Sequence, residues 1–299
     1  MTPVVIEVAV NGATSKARNP NVPTAPDEIG RDGIACLDAG AAIVHSHPDD
    51  FSLTGEAAAA RYLDAWRPIV AARPEAILYP TVGLGGSIAE RYSYVPPLAE
   101  SGAMRMGVLD PGSVNLGSAG EDGLPGGFDV VYSHSYGDIR YVVAQLAELR
   151  IAPSVSIFEP GFLRTALVYH RRGKLPRGAL VKLYFGGDAS CLGDTGASGV
   201  TFGLPPTVRA LEAYLEMLDG SGLPWSVAVI GGDVVACGLA RAALERDGHV
   251  RVGLEDYAGP RKPANAELVR EVVALAAEVG RPVASPREAA RVLSLPDPR

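Results

Sequence analysis

The chain carries, at residues 41–47, the stretch Ala-Ala-Ile-Val-His-Ser-His, an apolar run that ends in two histidines. Such a run is typical of a parallel strand that is buried on both faces of a sheet. A helix is predicted directly before it, over Asp27–Ala39, because Thr24-Ala-Pro-Asp-Glu provides start signals and Gly40 a stop signal. The stretch is therefore a helix–strand unit with polar residues at the carboxyl end of the strand.

The same unit recurs along the chain, with further helical patterns over Thr207–Leu218 and Asn265–Val279. The predicted strands are Val4–Val10, Ala42–His45, Ile77–Val82, Met104–Leu109, Ser154–Phe158, Leu180–Phe185, Ser226–Ile230 and Val250–Leu254. Eight strands alternating with helices predict an α/β fold, the (β/α)8 TIM barrel, which takes about 250 residues. A doubly wound open sheet is the alternative, but Asn11-Gly12-Ala13 after the first strand is too sparse for a dinucleotide-binding fingerprint. No low-complexity linker divides the chain, so we expect one domain over residues 1–299.

The composition is that of a globular protein: 47% of the 299 residues are hydrophobic and 20% are charged. The formal net charge of -7 argues against a dedicated nucleic-acid binder, because such proteins usually present a basic face. The amino terminus lacks the pattern of a signal peptide, and no stretch approaches the about 20 apolar residues of a membrane span. Cys36, Cys191 and Cys237 are widely spaced and odd in number. We therefore expect reduced thiols in a cytoplasmic protein.

A barrel carries its chemistry at the carboxyl ends of its strands. The polar residues at the predicted strand ends are Asn11, His45, His47, Thr81, Asp110, Glu159, Asp233, Glu255 and Asp256. The first strand of a barrel closes against the eighth, so the histidine pair is expected near Glu255. The Gly-rich stretch Gly186–Gly203 is predicted to be an active-site loop after the sixth strand.

The two histidines and the acid pair predict a metal site. Side chains at i and i+2 of a strand point the same way, so His45 and His47 can face one ion. Two imidazoles and one carboxylate leave catalytic zinc an open position for substrate. We assign Glu255 to the metal and Asp256 to proton transfer, which requires the chain to leave the strand axis there. Arg251 pairs with a carboxylate of the enzyme or substrate, or else forms a salt bridge in the barrel floor.

On these residues the chain resembles the β-keto acid cleavage enzyme family, typified by the 3-keto-5-aminohexanoate cleavage enzyme. The resemblance runs nearly end to end and depends on an ordered set of motifs. These are Asn11-Gly12-Ala13, Ala39-Gly40-Ala41 before His45-Ser46-His47, the segment from Gly248 to Asp256, Asn265-Ala-Glu-Leu-Val, and Gly280-Arg281-Pro282.

The resemblance implies a TIM barrel, usually a homotetramer, that binds zinc or another divalent transition metal through His45, His47 and Glu255. It implies that a β-keto acid and acetyl-CoA exchange pieces to give acetoacetate and a new acyl-CoA, without an organic cofactor. Asp256 would be the base, and Arg251 would help to hold the reacting groups. This chemistry is sound, because a metal on the keto oxygen stabilises an enolate and lets a carboxylate remove the adjacent proton.

The chain departs from the family pattern around this centre, at Thr14, Val108, Asp110, Ser154 and Ser156. Family acids are missing near the first strand and on the fifth, which argues against an aminated keto acid, whose ammonium group needs a carboxylate. We predict Asn11, Thr81, Ser87 and Asp110 as substrate-binding residues. Two other functions stay open at this point: a metal-dependent lyase or aldolase that acts without CoA, and a non-catalytic protein that binds CoA or a metabolite.

Overall fold

The computed structural model describes residues 2–117, 122–125, 130–189 and 200–297. Its strands, in chain order, are β1 (Ile6–Ala9), β2 (Ile43–Ser46), β3 (Ile77–Pro80), β4 (Met106–Leu109), β5 (Val114–Leu116), β6 (Val130–Tyr132), β7 (Ala152–Ile157), β8 (Leu180–Gly186), β9 (Trp225–Ile230) and β10 (His249–Val252). Its helices are α1 (Pro26–Ala39), α2 (Gly55–Ala72), α3 (Ile88–Arg91), α4 (Val95–Glu100), α5 (Tyr136–Leu149), α6 (Pro160–Arg171), α7 (Val208–Leu218), α8 (Leu239–Leu244), α9 (Asn265–Glu278) and α10 (Pro286–Val292).

Eight parallel strands form one sheet in the order β3-β2-β1-β10-β9-β8-β7-β4. The first and last strands of this order meet through a parallel bridge between Leu78 and Met104, beside which the Arg105 amide donates to the Leu78 carbonyl at 3.0 Å. The sheet thus closes into the predicted (β/α)8 barrel, and the open doubly wound sheet is excluded. Because β1 pairs with both β2 and β10, the segments that carry the histidines and the acid pair become neighbours.

Two short strands, β5 and β6, were not predicted. They pair antiparallel as a separate ribbon after β4, with Val114 opposite Tyr132. Each has only three residues and none of them is buried, so both are too short for a strand pattern to be recognised in the sequence. The ribbon matters for the site, because its second strand leads Tyr132 and His134 back to the end of β4.

The core has two layers around the strands. Apolar side chains between the sheet and the outer helices form the larger one. The smaller one fills the amino-terminal half of the barrel and includes Val5, Ile43 and Met106, against which Ala289 and Leu293 from the region of α10 pack. The α10 segment therefore closes one end of the barrel, and the polar interior lies toward the other end.

The two ends of helix α1 are fixed by local sequence, and this placement determines where β2 begins. Glu28 accepts hydrogen bonds from the Thr24 and Ala25 amides, which caps the amino end, and Gly40 ends the helix at φ 117°. The chain then enters β2 directly, so the histidine segment is placed by a well-defined turn.

The thiols and the loop predicted earlier can be placed only in part. Cys36 is buried and Cys237 exposed, and both are free. Cys191 and residues 190–199 of the predicted active-site loop lie outside the described residues. None of the helices in the described ranges is long and apolar enough to cross a membrane.

Candidate active site

His45, His47 and Glu255 meet at the carboxyl end of the barrel. Nε2 of His45 lies 3.3 Å from Oε2 of Glu255, and Nε2 of His47 lies 3.2 Å from Oε1. One potential ligand atom from each residue falls within a cluster 4.8 Å across. This set of two imidazoles and one carboxylate is the donor set of many catalytic zinc sites. Glu255 Oε2 is buried yet accepts no well-formed hydrogen bond, as expected of an oxygen shaped to bind a cation.

Backbone contacts orient both imidazoles. Nδ1 of His45 lies 3.3 Å from the Tyr79 carbonyl oxygen, so this nitrogen carries the proton and Nε2 is left as the potential ligand. Asn11 holds the next segment: its amide donates to the His47 carbonyl at 3.0 Å, and its Oδ1 accepts from the His47 amide at 2.9 Å. Asn11 was predicted to bind substrate, and the structure shows it bonded to the His47 backbone.

A turn after β10 explains how Glu255 and Asp256 both reach the site. The strand ends at Val252, and Gly253 follows at φ 134°, a value that L side chains rarely adopt. A Cβ at Gly253 would lie 2.0 Å from the Ala9 carbonyl oxygen, so no other residue fits there. The Asp256 amide then bonds the Gly253 carbonyl at 3.2 Å. Because the chain turns here, the two acids do not point to opposite faces.

Arg251 connects the acid pair to a buried charge network. Its Nε lies 2.7 Å from Oδ2 of Asp256 and its second terminal nitrogen 3.1 Å from Oδ1, a bidentate pair. The same guanidinium lies 3.2 Å from Glu255 and 2.9 Å from Glu7, which comes from β1. The side chain is fully buried. Arg251 is therefore both the partner of the predicted base and a salt bridge inside the barrel, which unites the two roles left open by the sequence.

Tyr79 and Lys182 complete this network beneath the metal triad. Lys182 donates to the Tyr79 hydroxyl at 2.7 Å and lies 3.4 Å from Glu7. The Tyr79 hydroxyl donates to Glu7. All three side chains are buried, so the layer is rigid by packing as well as by charge. It fixes Arg251 from below.

Burial and charge act differently on the individual groups. Burial holds the pKa of His45 well below its usual value, so the imidazole is neutral, the form that binds metal. Burial opposes ionisation of Glu255, but His47 and Arg251 beside it hold its pKa well below the usual range. For Asp256, burial outweighs the neighbouring guanidinium and raises the pKa. A raised pKa makes this carboxylate the stronger base of the two.

The family model that describes the beta-keto acid cleavage enzymes matches residues 3–295. The chain belongs to this family. It is 28% identical to the 3-keto-5-aminohexanoate cleavage enzyme of Fusobacterium nucleatum, over 99% of each chain. It is also 28% identical to the 3-oxoadipate:acetyl-CoA acetyltransferase of Cupriavidus necator, over 98% of this chain and 95% of the relative. The resemblance drawn from the motifs is confirmed.

A solved structure gives the same fold. ObcA, in a ternary complex with a C4-CoA adduct and oxalate, superimposes with a TM-score of 0.67 at 18% identity, over 94% of this chain and 68% of the other. The likeness supports the TIM barrel of this member of the beta-keto acid cleavage enzyme family.

Asn265 is a positioning residue that sequence reasoning missed. Its Oδ1 accepts from the Leu254 amide at 2.8 Å, directly before the predicted ligand Glu255. Its Nδ2 donates to the Val10 carbonyl at 2.7 Å, and the Val10 amide donates to the His45 carbonyl at 3.0 Å. One fully buried side chain thus ties together the two segments that carry the metal triad. The signal was present, as an Asn inside a family motif, but its partners lie far away in sequence.

The other three residues that were predicted to bind substrate differ in their burial and hydrogen bonding. Asp110 is buried at the end of β4, where the Tyr132 hydroxyl donates to its Oδ2, while its Oδ1 has no hydrogen-bond partner among the described residues. Thr81 is half-buried just beyond β3. Ser87 is exposed, and its hydroxyl caps α3 through a reciprocal pair of bonds with Glu90. Of these three, Asp110 offers the clearest free acceptor for a ligand.

His134, which the sequence analysis did not single out, also enters this region. Its Nδ1 lies 2.9 Å from the Asp110 carbonyl oxygen, while its buried Nε2 has no hydrogen-bond partner. Nothing in the sequence pattern marks this residue, because the β5–β6 ribbon that positions it was not predicted.

Proposed function

We propose that the protein catalyses a Claisen-type acyl transfer in which a β-keto acid and acetyl-CoA give acetoacetate and a new acyl-CoA. The observation that carries the proposal is the convergence of the three predicted ligands with the Arg251–Asp256 pair at one end of the barrel. The names of the relatives, which include acetyl-CoA transferases, support the same reaction class. The acyl group of the keto acid leaves its acetate unit and joins the CoA sulfur, while the acetyl group leaves that sulfur and bonds the acetate unit, so the atoms balance.

His45, His47 and Glu255 would hold the metal, which we propose to be zinc. A divalent ion at this position would polarise the keto oxygen of the substrate and so acidify the adjacent carbon. The protein's own part is to keep the His45 imidazole neutral and to hold the His47 backbone through Asn11. Another divalent transition metal would suit the same ligands, since availability also decides occupancy.

Asp256 is the proposed base. Its carboxylate has about four acceptor positions, of which Arg251 uses two, so the others can take a proton from the substrate carbon. The guanidinium fixes the carboxylate plane, and the buried network below fixes the guanidinium. A base that is held in this way loses little entropy when the substrate arrives.

We propose that Asp110 and Thr81 contact the acyl end of the keto acid, with Ser87 and Asn11 at its margins. Thr14 is buried with an unpartnered hydroxyl, and Ser154 likewise. These hydroxyls replace acids of the typical family enzyme, so we propose a keto acid without an amino group as the substrate. We further propose one catalytic domain over residues 1–299, a homotetramer and a cytoplasmic location.

The reaction class is tested by incubating metal-loaded protein with a panel of keto acids, with and without acetyl-CoA, and following acetoacetate and acyl-CoA. We expect turnover only when the thioester is present. Cleavage without any thioester would instead establish a lyase. No turnover on the whole panel, together with ligand binding that D256N leaves unchanged, would establish a non-catalytic binding protein.

The metal assignment has a separate test. We expect H45A and E255Q to lose bound metal, measured by elemental analysis of purified protein. E159Q is a suitable control, because Glu159 is an acid at another strand end that accepts from the Gly203 amide. Unchanged stoichiometry in the first two variants would refute the ligand assignment.

A further inference from the structure

A strongly basic groove lies on the outer surface between α5 and α6. It encloses about 770 Å³, and the charged residues that line it are all cations, namely Arg140, Arg164, Arg172 and Lys174. Tyr136 and Tyr169 add aromatic faces to its wall. Four cations without an acid are unexpected by chance in a chain whose formal net charge is -7. The groove therefore concentrates positive potential on an acidic protein.

Several arginines elsewhere in the chain are paired with acids. Arg61 pairs with Asp49, and Arg246 lies 2.8 Å from Glu212. Within the part of the chain that the structure describes, none of the four groove cations forms an ion pair with a carboxylate. Uncompensated guanidinium groups along a groove are suited to bidentate recognition of phosphate.

The groove is continuous with the active-site rim. A second cavity, of about 520 Å³, shares Tyr136, Gly161 and Thr165 with it and extends to His134 and Glu159 at the strand ends. His134 is 95% buried, and its Nε2 has no hydrogen-bond partner among the described residues. Glu159 is the one acid that lines this cavity, and its Oε1 accepts from the Gly203 amide at 2.9 Å. A buried polar nitrogen without a partner indicates a place for a polar ligand group.

The position of the groove relative to His45, His47 and Glu255 follows from the order of the strands in the barrel. In the sheet order, β7 stands four strands from β1, so Glu159 lies across the barrel mouth from the metal triad. From Gly161 to Arg172 the chain follows α6 down the outer surface for about 16 Å at 1.5 Å per residue. A ligand that reacts at the triad could thus cross the mouth and continue along the cations.

We propose that this groove binds the phosphate-bearing nucleotide end of coenzyme A, with the pantetheine arm passing His134 toward the metal triad. The inference depends on the proposed function for the identity of the thioester. It adds the position of the polyanionic end and the residues that recognise it. Arg140 and Arg164 face the groove from opposite helices and are the principal phosphate ligands.

The test compares acetyl-CoA with a truncated thioester that lacks the nucleotide and its phosphates. In the double variant R140A/R164A, we expect the KM for acetyl-CoA to rise at least about tenfold, because contacts between guanidinium and phosphate are the strong, charge-assisted kind. The KM for acetyl-N-acetylcysteamine, which has no phosphate, and the kcat with either thioester should stay as in the wild type. R67A, at an exposed arginine of α2 remote from this groove, is the matched control and should change neither KM.

A binding measurement separates this proposal from the reaction. Calorimetric titration with adenosine 3′,5′-bisphosphate needs no turnover, and we expect the double variant to bind it at least about tenfold more weakly than R67A does. If the wild type shows no thioester-dependent turnover, the proposed function fails, while this titration still tests the groove. An unchanged acetyl-CoA KM in an active double variant would overturn the proposal. So would an equal rise with both thioesters, or an equal affinity of the wild type for ATP and the bisphosphate.

Discussion

Replacing Asn265 by alanine should weaken both the fold and the metal site. The variant removes the acceptor of the Leu254 amide and the donor to the Val10 carbonyl, and leaves two buried backbone groups without partners. Each such group costs about 1–3 kcal/mol, so we expect a loss of about 4 kcal/mol in the free energy of unfolding. Few single substitutions cost that much.

The same substitution frees the segments that carry His45 and Glu255. Loss of a partner that orients metal ligands typically lowers metal affinity about 10- to 100-fold, and we expect the lower end because Asn265 acts through the backbone. Urea unfolding at fixed protein concentration gives the stability, and competition with a chromophoric chelator gives the metal affinity.

Asn21 provides a matched control for this experiment. It is an exposed asparagine whose Nδ2 donates to the Lys262 carbonyl at 2.9 Å, in the segment that leads into α9. N21A should cost less than about 0.5 kcal/mol and leave metal affinity unchanged. If N265A behaved like N21A in both assays, the positioning role of Asn265 would be wrong.

Three further substitutions test the site and the fold. D256N should lower kcat about 10²- to 10⁴-fold with little change in KM, as for loss of a general base, and a kcat within threefold of wild type would exclude that role. R251M should lower the free energy of unfolding, measured in urea, by about 3–5 kcal/mol, because Glu7 and Asp256 stay buried without the Arg251 guanidinium. R61M, which removes an exposed ion pair, should lower it by less than about 1 kcal/mol. Burial lowers the pKa of His249 to about 3 from its usual 6.5, so its stability contribution is complete above pH 6.5 and declines as the pH falls toward 3. Between pH 7 and 4.5, the wild type should therefore lose about 2–3 kcal/mol more than H249N, and parallel pH profiles would contradict the assignment.

The barrel could be predicted from the sequence because its strands are buried on both faces. Runs such as Ile77–Pro80 and Trp225–Ile230 are mostly apolar because helices cover them, and eight such runs at regular spacing leave few architectures. The β5–β6 ribbon lacks this signal, since its strands are short and largely exposed. Burial, rather than β-propensity, thus determined which strands could be predicted from the sequence.

The convergence of His45, His47 and Glu255 was predictable for a related reason. Strand periodicity orients His45 with His47, and barrel closure brings β10 beside β1, so the position of Glu255 follows from topology alone. The turn at Gly253 and the bonds of Asn265 do not follow in this way. They depend on a single backbone angle and on side-chain contacts that include Val10, 255 residues from Asn265, which one sequence cannot reveal.

The buried charges around the triad support a cation there. Glu7, Glu255 and Asp256 contribute three carboxylates, and Arg251 and Lys182 contribute two cations, all in contact within one layer. An excess negative charge in a buried layer is costly unless it is paired, and proton uptake is one way to relieve it. The raised pKa of Asp256 shows that tendency, while Glu255 is held ionised by its neighbours. A divalent ion between the two imidazoles and Glu255 would offset the negative excess directly, so electrostatic attraction and ligand geometry favour the same position.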